Sequence, residues 1–227
     1  MKKRLLVIPA RSGSKRIKNK NFKNFKGKPI IQYSIETAIK SKIFDTIHIS
    51  SDDSKITKLV KKYNLKNYFS RPKNISRDDD TIEDVLRFVV KKYKEANFSF
   101  DEIWSLSPCS PLITAKDLIN SSKILDKYCN KIVLPISEYP CPIEWAFDLK
   151  KNNFLKPKIK KSYLSKSQSF KKKFYDVGNF VGIPIKFFNK KKIKFDENYI
   201  GYILPKIRSV DIDDINDWKL AEKLYGK

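Results

Sequence analysis

One stretch near the amino terminus decides the fold: Leu5-Leu6-Val7-Ile8-Pro9-Ala10-Arg11-Ser12-Gly13-Ser14-Lys15-Arg16. An apolar run that ends at a proline and a polar loop is typical of a buried parallel strand. The loop combines small residues with basic side chains, so that backbone N–H groups and positive charge can both reach an anion. In an open α/β sheet, the loop after the first strand is a place where ligands bind. We interpret it as a triphosphate-binding loop, although its composition alone also fits a solvated turn.

The spacing of this loop differs from that of two common phosphate-binding motifs. A Walker loop would place a Gly-Lys pair five residues after Gly13 and a Ser or Thr after it, but Gly27-Lys28 lies further on and is followed by Pro29. The dinucleotide-binding fingerprint needs three closely spaced glycines, and only Gly13 is present. Neither motif therefore accounts for the loop.

Length and composition predict a single α/β domain that spans residues 1–227. The 41% share of hydrophobic residues is enough for a full core. The apolar run after Lys2-Lys3-Arg4 is too short for a signal peptide, and no run is long enough to span a membrane. Three cysteines without CxxC spacing, Cys109, Cys129 and Cys141, are typical of a reducing compartment. We expect a cytoplasmic protein without a membrane-inserted segment.

The formal net charge of +24 raises the alternative of a basic nucleic-acid-binding module. Only seven of the 49 basic residues are Arg, however, whereas base readout and tight phosphate contacts favour Arg over Lys. Most of the lysines are interpreted as solvated surface, and a nucleic-acid partner is not expected.

Strand and helix patterns alternate with short connections through most of the chain. Strands are predicted at about 3–9, 46–50, 67–70, 101–107, 131–137, 174–183, 199–204 and 209–213. Helices are predicted at about 29–41, after Asp52 or Asp53, after the capping boxes Thr81-x-x-Asp84 and Thr114-x-x-Asp117, and after Asp214. This alternation predicts a Rossmann-like, mostly parallel sheet with helices on both faces. The stretch at about 138–175 lacks clear periodicity, and its part at 156–173 is very Lys-rich. It is interpreted as an inserted arm for substrate binding or dimerisation, with a mobile surface arm as the alternative.

Two acidic residues near the carboxyl terminus suggest a metal site. Asp211 and Asp213 alternate in a stretch that is predicted to be extended, so their side chains are expected on one face. Two carboxylates that converge suit Mg²⁺, which also binds substrate phosphates. A solvated edge or a helix cap is the alternative. The single histidine, His48, lies within a predicted strand and is expected to be packed rather than catalytic.

Both ends of the chain resemble the CMP-sugar-acid synthetase family. Pro9-Ala10-Arg11-Ser12-Gly13-Ser14-Lys15, followed by Lys20-Asn21, resembles the amino-terminal signature of that family. Val210-Asp211-Ile212-Asp213, followed by Asp217-Trp218, resembles its carboxyl-terminal motif, in which two aspartates hold magnesium. Agreement of two distant motifs is stronger support than either motif alone.

Further stretches extend the resemblance. Arg71-Pro72 with Asp80-Thr81 resembles the segment beside the cytidine base and ribose, and the turn at 107–112 resembles the place where sugar acid and nucleotide meet. Lys166-Ser167-Gln168 resembles an Arg-x-Gln-Asp element. Asp176-Val177-Gly178-Asn179-Phe180 resembles an element of pseudaminic acid cytidylyltransferases.

The resemblance implies a homodimeric cytidylyltransferase that joins CTP to a nine-carbon 2-keto sugar acid with the help of Mg²⁺. It implies catalytic roles for Arg11, Lys15 and Asp211, and metal binding by Asp211 and Asp213. The residues that it assigns to substrate binding are Ala10, Ser12, Gly13, Ser14, Lys20, Asn21, Arg71, Asp80, Thr81, Ser107, Lys166, Gln168 and Asn179.

Pseudaminic acid is the favoured acceptor, with sialic, legionaminic and deoxyoctulosonic acids as alternatives. Ser107 and Ile113 stand where sialic acid enzymes carry Gln and Arg. We expect these two replacements to make the sugar pocket more apolar and to suit a 9-deoxy sugar.

Overall fold

A computed structural model describes residues 2–72, 75, 80–160, 162, 164–189 and 198–226. Within them the chain forms strands β1 (Arg4–Pro9), β2 (Asn24–Phe25), β3 (Lys28–Pro29), β4 (Thr46–Ser50), β5 (Glu102–Leu106), β6 (Ile132–Glu138), β7 (Phe147–Leu149), β8 (Leu155–Pro157), β9 (Phe174–Asp176), β10 (Phe180–Pro184) and β11 (Tyr199–Ile203). The helices are α1 (Ile30–Ser41), α2 (Lys55–Lys62), α3 (Ile82–Glu95), α4 (Ala115–Lys127) and α5 (Ile215–Leu224).

The main sheet has seven strands, six of them in the order β11-β6-β10-β5-β1-β4, with β9 paired to β6. β1 is parallel to both β4 and β5, and β11 is parallel to β6. β10 is antiparallel to both of its neighbours, and β9 is antiparallel to β6. Five of the seven strands therefore point the same way, which confirms the mostly parallel α/β sheet.

Helices cover both faces of the sheet, as predicted. Apolar residues of α1, α2 and α4 pack with Leu6, Ile8 and Trp104 on one face. Apolar residues of α3 pack with Leu5 and Val7 on the other face. The alternation along β1 sends successive side chains to opposite faces, and each face is buried by its own set of helices. Among the described helices, none combines the length and the apolar character needed to cross a membrane.

Local capping signals locate three helices correctly. Thr81 with Asp84, Thr114 with Asp117, and Asp214 with Asp217 each form a reciprocal capping box at the start of a helix. At α2 the predicted aspartate cap is wrong, because the N-cap position is Ser54 and its side chain makes no capping bond. Asp53 accepts a hydrogen bond from the N–H of Lys55 at 2.9 Å, whereas Asp52 turns towards the loop after β1.

The predicted strand at 67–70 is wrong, because these residues are not in a strand. The side chain of Asn67 takes the place of a strand neighbour. Its Oδ1 accepts from the N–H of Ile49 at 2.9 Å, and its Nδ2 donates to the carbonyl of Ile49 at 3.0 Å. The edge of β4 is thus satisfied by a side-chain amide rather than by a backbone ladder.

The predicted strand at 174–183 is two strands with a turn between them. Gly178 has a φ of 75°, which breaks the extended chain between β9 and β10. Gly182, by contrast, lies inside β10. A Cβ atom there would come within 2.8 Å of the Trp104 ring, so the absence of a side chain makes room for the indole.

The predicted strand at 209–213 is also wrong, since this segment pairs with no strand in the described structure. It runs as a loop from β11 to α5, and side chains from other elements hold it. We refer to residues 204–214 as the acidic loop.

The predicted arm corresponds to an excursion from the main sheet. It leaves at the end of β6 and returns in β9, where Glu138 is paired with Phe174. Between them, β7 and β8 form a separate two-stranded antiparallel hairpin. That residues 1–227 form one domain stays a prediction.

Candidate active site

Nine of the predicted site residues line clefts at the carboxyl-terminal edge of the parallel strands: Arg11, Ser14, Lys15, Lys20, Asn21, Ser107, Asn179, Asp211 and Asp213. Two adjoining clefts lie there, with volumes of about 540 and 480 Å³. They share one wall, formed by Pro9, Lys20, Ser107, Pro108 and Asp213. Ligands bound in the two clefts would lie next to each other at that wall. A transfer reaction requires this proximity of its two reactants.

The smaller cleft is strongly basic. In addition to the shared residues it is lined by Arg11, Ser14, Lys15, Arg16, Ile17, Asn21 and Cys109. All of the basic residues come from the loop after β1, which connects that strand to α1. This concentration of cations beside a strand end suits a polyphosphate.

Other side chains fix the shape of this loop. Asp52 accepts hydrogen bonds from the backbone N–H of Ser12 at 3.0 Å and from its hydroxyl at 2.7 Å. The amide of Asn21 donates to the carbonyl of Arg11 at 3.0 Å. Ser51 donates to the carbonyl of Ala10 at 2.5 Å. Ala10 and Asn21 are buried, so they shape the loop from within. Sequence patterns indicated Asp52 only at the start of α2, whereas the structure places its carboxylate against the loop.

Arg71 is a buried cation beside this loop. Its side chain is near Asp52, Asp80 and Arg11, and burial, with the charge of Arg11, lowers its pKa. Among the described residues, neither Nε nor Nη2 of Arg71 has a hydrogen-bond partner. A buried guanidinium with unsatisfied donors is costly unless a ligand completes it, so Arg71 fits the predicted role in nucleotide binding.

Asp211 and Asp213 both face the larger cleft, and Asp213 also faces the smaller one. Burial, followed by the neighbouring charge of Asp213, raises the pKa of Asp211. Arg16 Nη2 lies 2.9 Å from Asp213 Oδ1, and Lys20 Nζ lies 4.0 Å from the same oxygen. Both residues line the larger cleft from an irregular loop rather than from the predicted strand, and their role as a metal-binding pair stays a prediction.

The larger cleft has an apolar side and an acidic side. The turn between β9 and β10 supplies Asp176, Gly178 and Asn179, and the sheet and α3 supply Ile82, Glu83, Leu86, Ser105, Leu134, Phe180, Val181, Ile183 and Tyr199. Burial raises the pKa of Asp176, and burial with the charges of Asp176 and Glu83 raises the pKa of Tyr199 to about 12. Glu83 and Tyr199 are lining residues that no motif in the sequence indicated.

Two turn residues connect the clefts to the sheet. Ser107 N–H donates to the carbonyl of Asn179 at 2.7 Å, and Ser107 lines both clefts. Asn179 is buried, and its Nδ2 donates to Ser110 Oγ at 3.2 Å and to the carbonyl of Val210 at 3.4 Å. Ile113 does not line the clefts as expected, because its side chain packs in the core with Leu118.

Several predicted substrate residues line neither cleft: Ala10, Ser12, Gly13, Arg71, Asp80, Thr81, Lys166 and Gln168. The Thr81 hydroxyl is part of the capping box of α3. The negative charge of Asp80 favours the charged form of Arg71 and so opposes the lowering of its pKa. Gly13 faces open space, since a Cβ there would meet no atom within 4 Å. Lys166 and Gln168 are exposed on the arm and line neither cleft. The geometry of one chain therefore does not bring the arm residues to the site.

The histidine and the buried cysteine are packed rather than reactive. His48 is fully buried against Phe69 and Tyr93, and burial with the charge of Arg71 lowers its pKa to about 3. Burial raises the pKa of the Cys109 thiol to about 12. The imidazole is therefore neutral and the thiol protonated near neutral pH. The burial of His48 confirms the prediction that it is a packed residue.

Comparisons with known proteins agree with this geometry. Residues 5–127 match a family model described as cytidylyltransferase. The chain is 35% identical to a pseudaminic acid cytidylyltransferase of Campylobacter jejuni, over 98% of this chain and 96% of the relative. It is 27% identical to a CMP-N,N'-diacetyllegionaminic acid synthase of Legionella pneumophila, over 97% and 95%.

A structural comparison supports the fold. A CMP:2-keto-3-deoxy-manno-octonic acid synthetase, solved in complex with CTP, superposes with a TM-score of 0.70 at 16% identity and covers 98% of both chains. The family match covers more than half of this chain, and the relative from Campylobacter jejuni is similar along almost its whole length. The chain therefore belongs to the cytidylyltransferase family.

Proposed function

We propose that this enzyme transfers CMP from CTP to a nine-carbon 2-keto sugar acid, with pseudaminic acid as the favoured acceptor and pyrophosphate as the second product. The pair of adjoining clefts carries this proposal, because one is basic enough for a triphosphate and the other is partly apolar and suits a sugar. The full-length similarity to the Campylobacter jejuni relative supports the choice of acceptor. A cytoplasmic location is part of the proposal.

CTP is assigned to the smaller cleft. Arg11 and Lys15 would bind the phosphates and stabilise the charge that develops as the bond to pyrophosphate breaks. Ser12, Gly13 and Ser14 would offer the backbone of the loop, which Asp52 holds in place. The resemblance assigns Arg71, Asp80 and Thr81 to the nucleoside, but none of them lines the cleft, so their contact with CTP stays a prediction. Asn21 would act by holding the carbonyl of Arg11.

The acidic pair fits a divalent cation. Asp211 and Asp213 are hard oxygen donors that line the same cleft. Burial and the charge of Asp213 raise the pKa of Asp211, which means that its ionised form is disfavoured. A bound cation would remove this electrostatic penalty. The described residues contain no cluster of three or more acidic, histidine or cysteine side chains placed to hold a metal. Two carboxylates are nevertheless sufficient for Mg²⁺, which completes its shell with phosphates and water. When bound, Mg²⁺ would neutralise charge on the phosphates.

The sugar acid is assigned to the larger cleft. Its anomeric hydroxyl would attack the α-phosphorus across the shared wall near Ser107 and Lys20. Asn179 would contribute by fixing the turn at 176–180 and the carbonyl of Val210. Ile82, Leu86, Val181 and Ile183 offer an apolar surface for the methyl end of a 9-deoxy sugar.

The acceptor preference can be measured directly. We expect kcat/KM for pseudaminic acid to exceed kcat/KM for N-acetylneuraminic acid by roughly 10- to 100-fold. The reason is that each mismatched buried polar group costs about 1–3 kcal/mol of binding free energy in the transition state. The assay follows pyrophosphate release under saturating CTP and Mg²⁺. Legionaminic and deoxyoctulosonic acids complete the panel, and UTP in place of CTP serves as the nucleotide control.

The outcomes of this panel separate the alternatives. A clear preference for N-acetylneuraminic, legionaminic or deoxyoctulosonic acid would contradict the assignment of pseudaminic acid as the acceptor. It would leave the assignment as a cytidylyltransferase unchanged. No pyrophosphate release with any acid would contradict the proposed transfer to a sugar acid.

We also infer that the arm completes the site of a second copy. The only basic residue on the larger cleft is Lys20 among the described lining residues, although a sugar carboxylate calls for cations. Lys166 and Gln168 lie on the arm. Apolar side chains of the arm are unusually exposed, with Leu149 at 68%, Phe154 at 70% and Leu164 at 89%. A partner surface would cover them.

Light scattering at micromolar concentration is expected to give about twice the chain mass of 26.6 kDa. Replacing Phe154 and Leu155 with Ser should shift the protein to the monomer without unfolding it, because both side chains are already exposed. Ile203→Ser, which changes an exposed apolar residue outside the arm, is the control and should leave the mass unchanged. A monomeric wild-type protein would contradict the dimer.

A further inference from the structure

The acidic loop depends on side chains for its position. Lys20 Nζ donates to the carbonyl of Ile212 at 2.7 Å, and Asn179 Nδ2 donates to the carbonyl of Val210 at 3.4 Å. The N–H of Asp213 donates to Asp217 at 3.0 Å. Because residues 209–213 pair with no described strand, the separation of the two cleft carboxylates is set by anchors of this kind.

One further anchor is a buried carboxylate outside both clefts. Asp117, in the first turn of α4, accepts from the N–H and hydroxyl of Thr114 at 2.8 and 2.7 Å and from Tyr202 Oη at 2.8 Å. Arg208 Nη1 donates to Asp117 Oδ2, the oxygen that also accepts both bonds from Thr114, whereas Tyr202 bonds to Oδ1. Burial alone would raise the pKa of Asp117, but the hydrogen bonds from Arg208, Thr114 and Tyr202 outweigh it and lower the pKa. The side chain of Asp117 is only 2% exposed.

Helix capping does not account for this arrangement. Asp84 occupies the same position in the capping box of α3, bonds to Thr81 and is exposed. The capping box of α3 therefore forms without burying its carboxylate against an arginine and a tyrosine. The additional partners of Asp117 come from β11 and from the acidic loop, which lie next to the cleft.

Arg208 lies within the acidic loop, three residues before Asp211. The turn around it is closed by Ser209, whose N–H donates to the carbonyl of Lys206 at 3.2 Å and whose hydroxyl donates to Pro205 at 2.8 Å. The ion pair therefore attaches the segment before Asp211 to α4. Lys20 and Asp217 hold the segment after it, at Ile212 and Asp213.

We propose that Arg208 and Asp117 are positioning residues that set the placement of Asp211 and Asp213 for a divalent cation. Neither residue is among the described residues that line the two clefts. The inference rests on the proposed function, because it assumes that the acidic pair binds metal. Partners that orient metal ligands typically change metal affinity by about 10- to 100-fold when they are removed.

The test measures metal binding rather than turnover. Mn²⁺ is titrated into the full-length protein saturated with CTP, without sugar acid, and free Mn²⁺ is followed by its electron paramagnetic resonance signal against a CTP-only titration. We expect Arg208→Ala to weaken Mn²⁺ binding by about tenfold or more. Arg208→Lys, which keeps the charge but loses the planar fork, should show a smaller loss in the same direction.

Arg4→Ala is the matched control. Arg4 has a 12% exposed side chain and pairs with Glu102 and Asp126 at the opposite end of the sheet, so the charge change and the loss of an ion pair are comparable. We expect Arg4→Ala to lower the melting temperature and to leave Mn²⁺ affinity unchanged.

Three results would overturn the inference. If wild type binds Mn²⁺ and Arg208→Ala binds it equally well, the positioning role fails while the metal site stands. Equal weakening in Arg208→Ala and Arg4→Ala would show general destabilisation instead. If wild type binds no Mn²⁺ beyond CTP alone, the proposed metal site and the inference both fail. Should Arg208→Ala not fold, Arg208→Lys against Arg4→Lys gives the same comparison.

Discussion

Asp211→Asn is expected to reduce pyrophosphate release by about 10³-fold or more, which corresponds to roughly 4 kcal/mol of lost transition-state stabilisation. The amide retains the shape of the side chain but loses the negative charge that would hold a cation on the phosphates. The measurement is kcat under saturating CTP, Mg²⁺ and sugar acid. Full activity in this variant would contradict the metal assignment.

The same substitution should not destabilise the protein. Burial and the neighbouring Asp213 raise the pKa of Asp211 above its unfolded value, so the ionised carboxylate disfavours the folded state at neutral pH. Removing the charge removes that penalty, and the melting temperature of Asp211→Asn at neutral pH should equal or exceed that of wild type. Loss of activity with unchanged or higher stability is the signature of a functional carboxylate rather than a structural one.

A control carboxylate lies at the other end of the sheet. Asp126 is partly exposed and pairs with Lys2 and Arg4, far from both clefts. Asp126→Asn makes the same chemical change and should leave turnover within about twofold of wild type, as expected for a surface substitution away from the site. Asp213→Asn is a less clean test than Asp211→Asn, because it also releases Arg16 from its partner.

Local sequence patterns predicted correctly the strands that pair with other strands and the helices that carry their own capping boxes. An apolar run such as β1 has to be buried on both faces, and a capping box satisfies the first turn of its own helix. These signals lie within a few residues of sequence, so the order of elements and the starts of α3, α4 and α5 follow from them.

The errors occur where a distant side chain replaces a backbone partner. Asn67 pairs with the edge of β4, and Lys20 and Asn179 hold the carbonyls of the acidic loop. Alternation of polar and apolar residues cannot distinguish a strand from an extended segment that is held in this way. The burial of Ile113 was missed for a related reason, since its position in the turn does not reveal which way its side chain points.

The smaller cleft leads to a second large expected effect, on Lys15→Ala. Lys15 lines this cleft with an exposed side chain, so its removal should cost little stability. If its amine binds the triphosphate as charge develops on the leaving pyrophosphate, kcat/KM should fall by roughly 10²- to 10³-fold. Pyrophosphate release at low CTP concentration measures this loss.

Lys18→Ala separates this role from that of a merely basic surface. Lys18 is exposed in the same loop, three positions from Lys15, and is not among the described residues that line the clefts. A long-range effect of charge would act on both variants and would weaken as salt rises, because the screening length falls from about 10 Å at 0.1 M to about 3 Å at 1 M. Direct binding of a phosphate by Lys15 requires contact, so its loss should persist at high salt while Lys18→Ala stays within about twofold of wild type throughout. Equal losses that disappear together with added salt would mean that the loop supplies only a diffuse positive field.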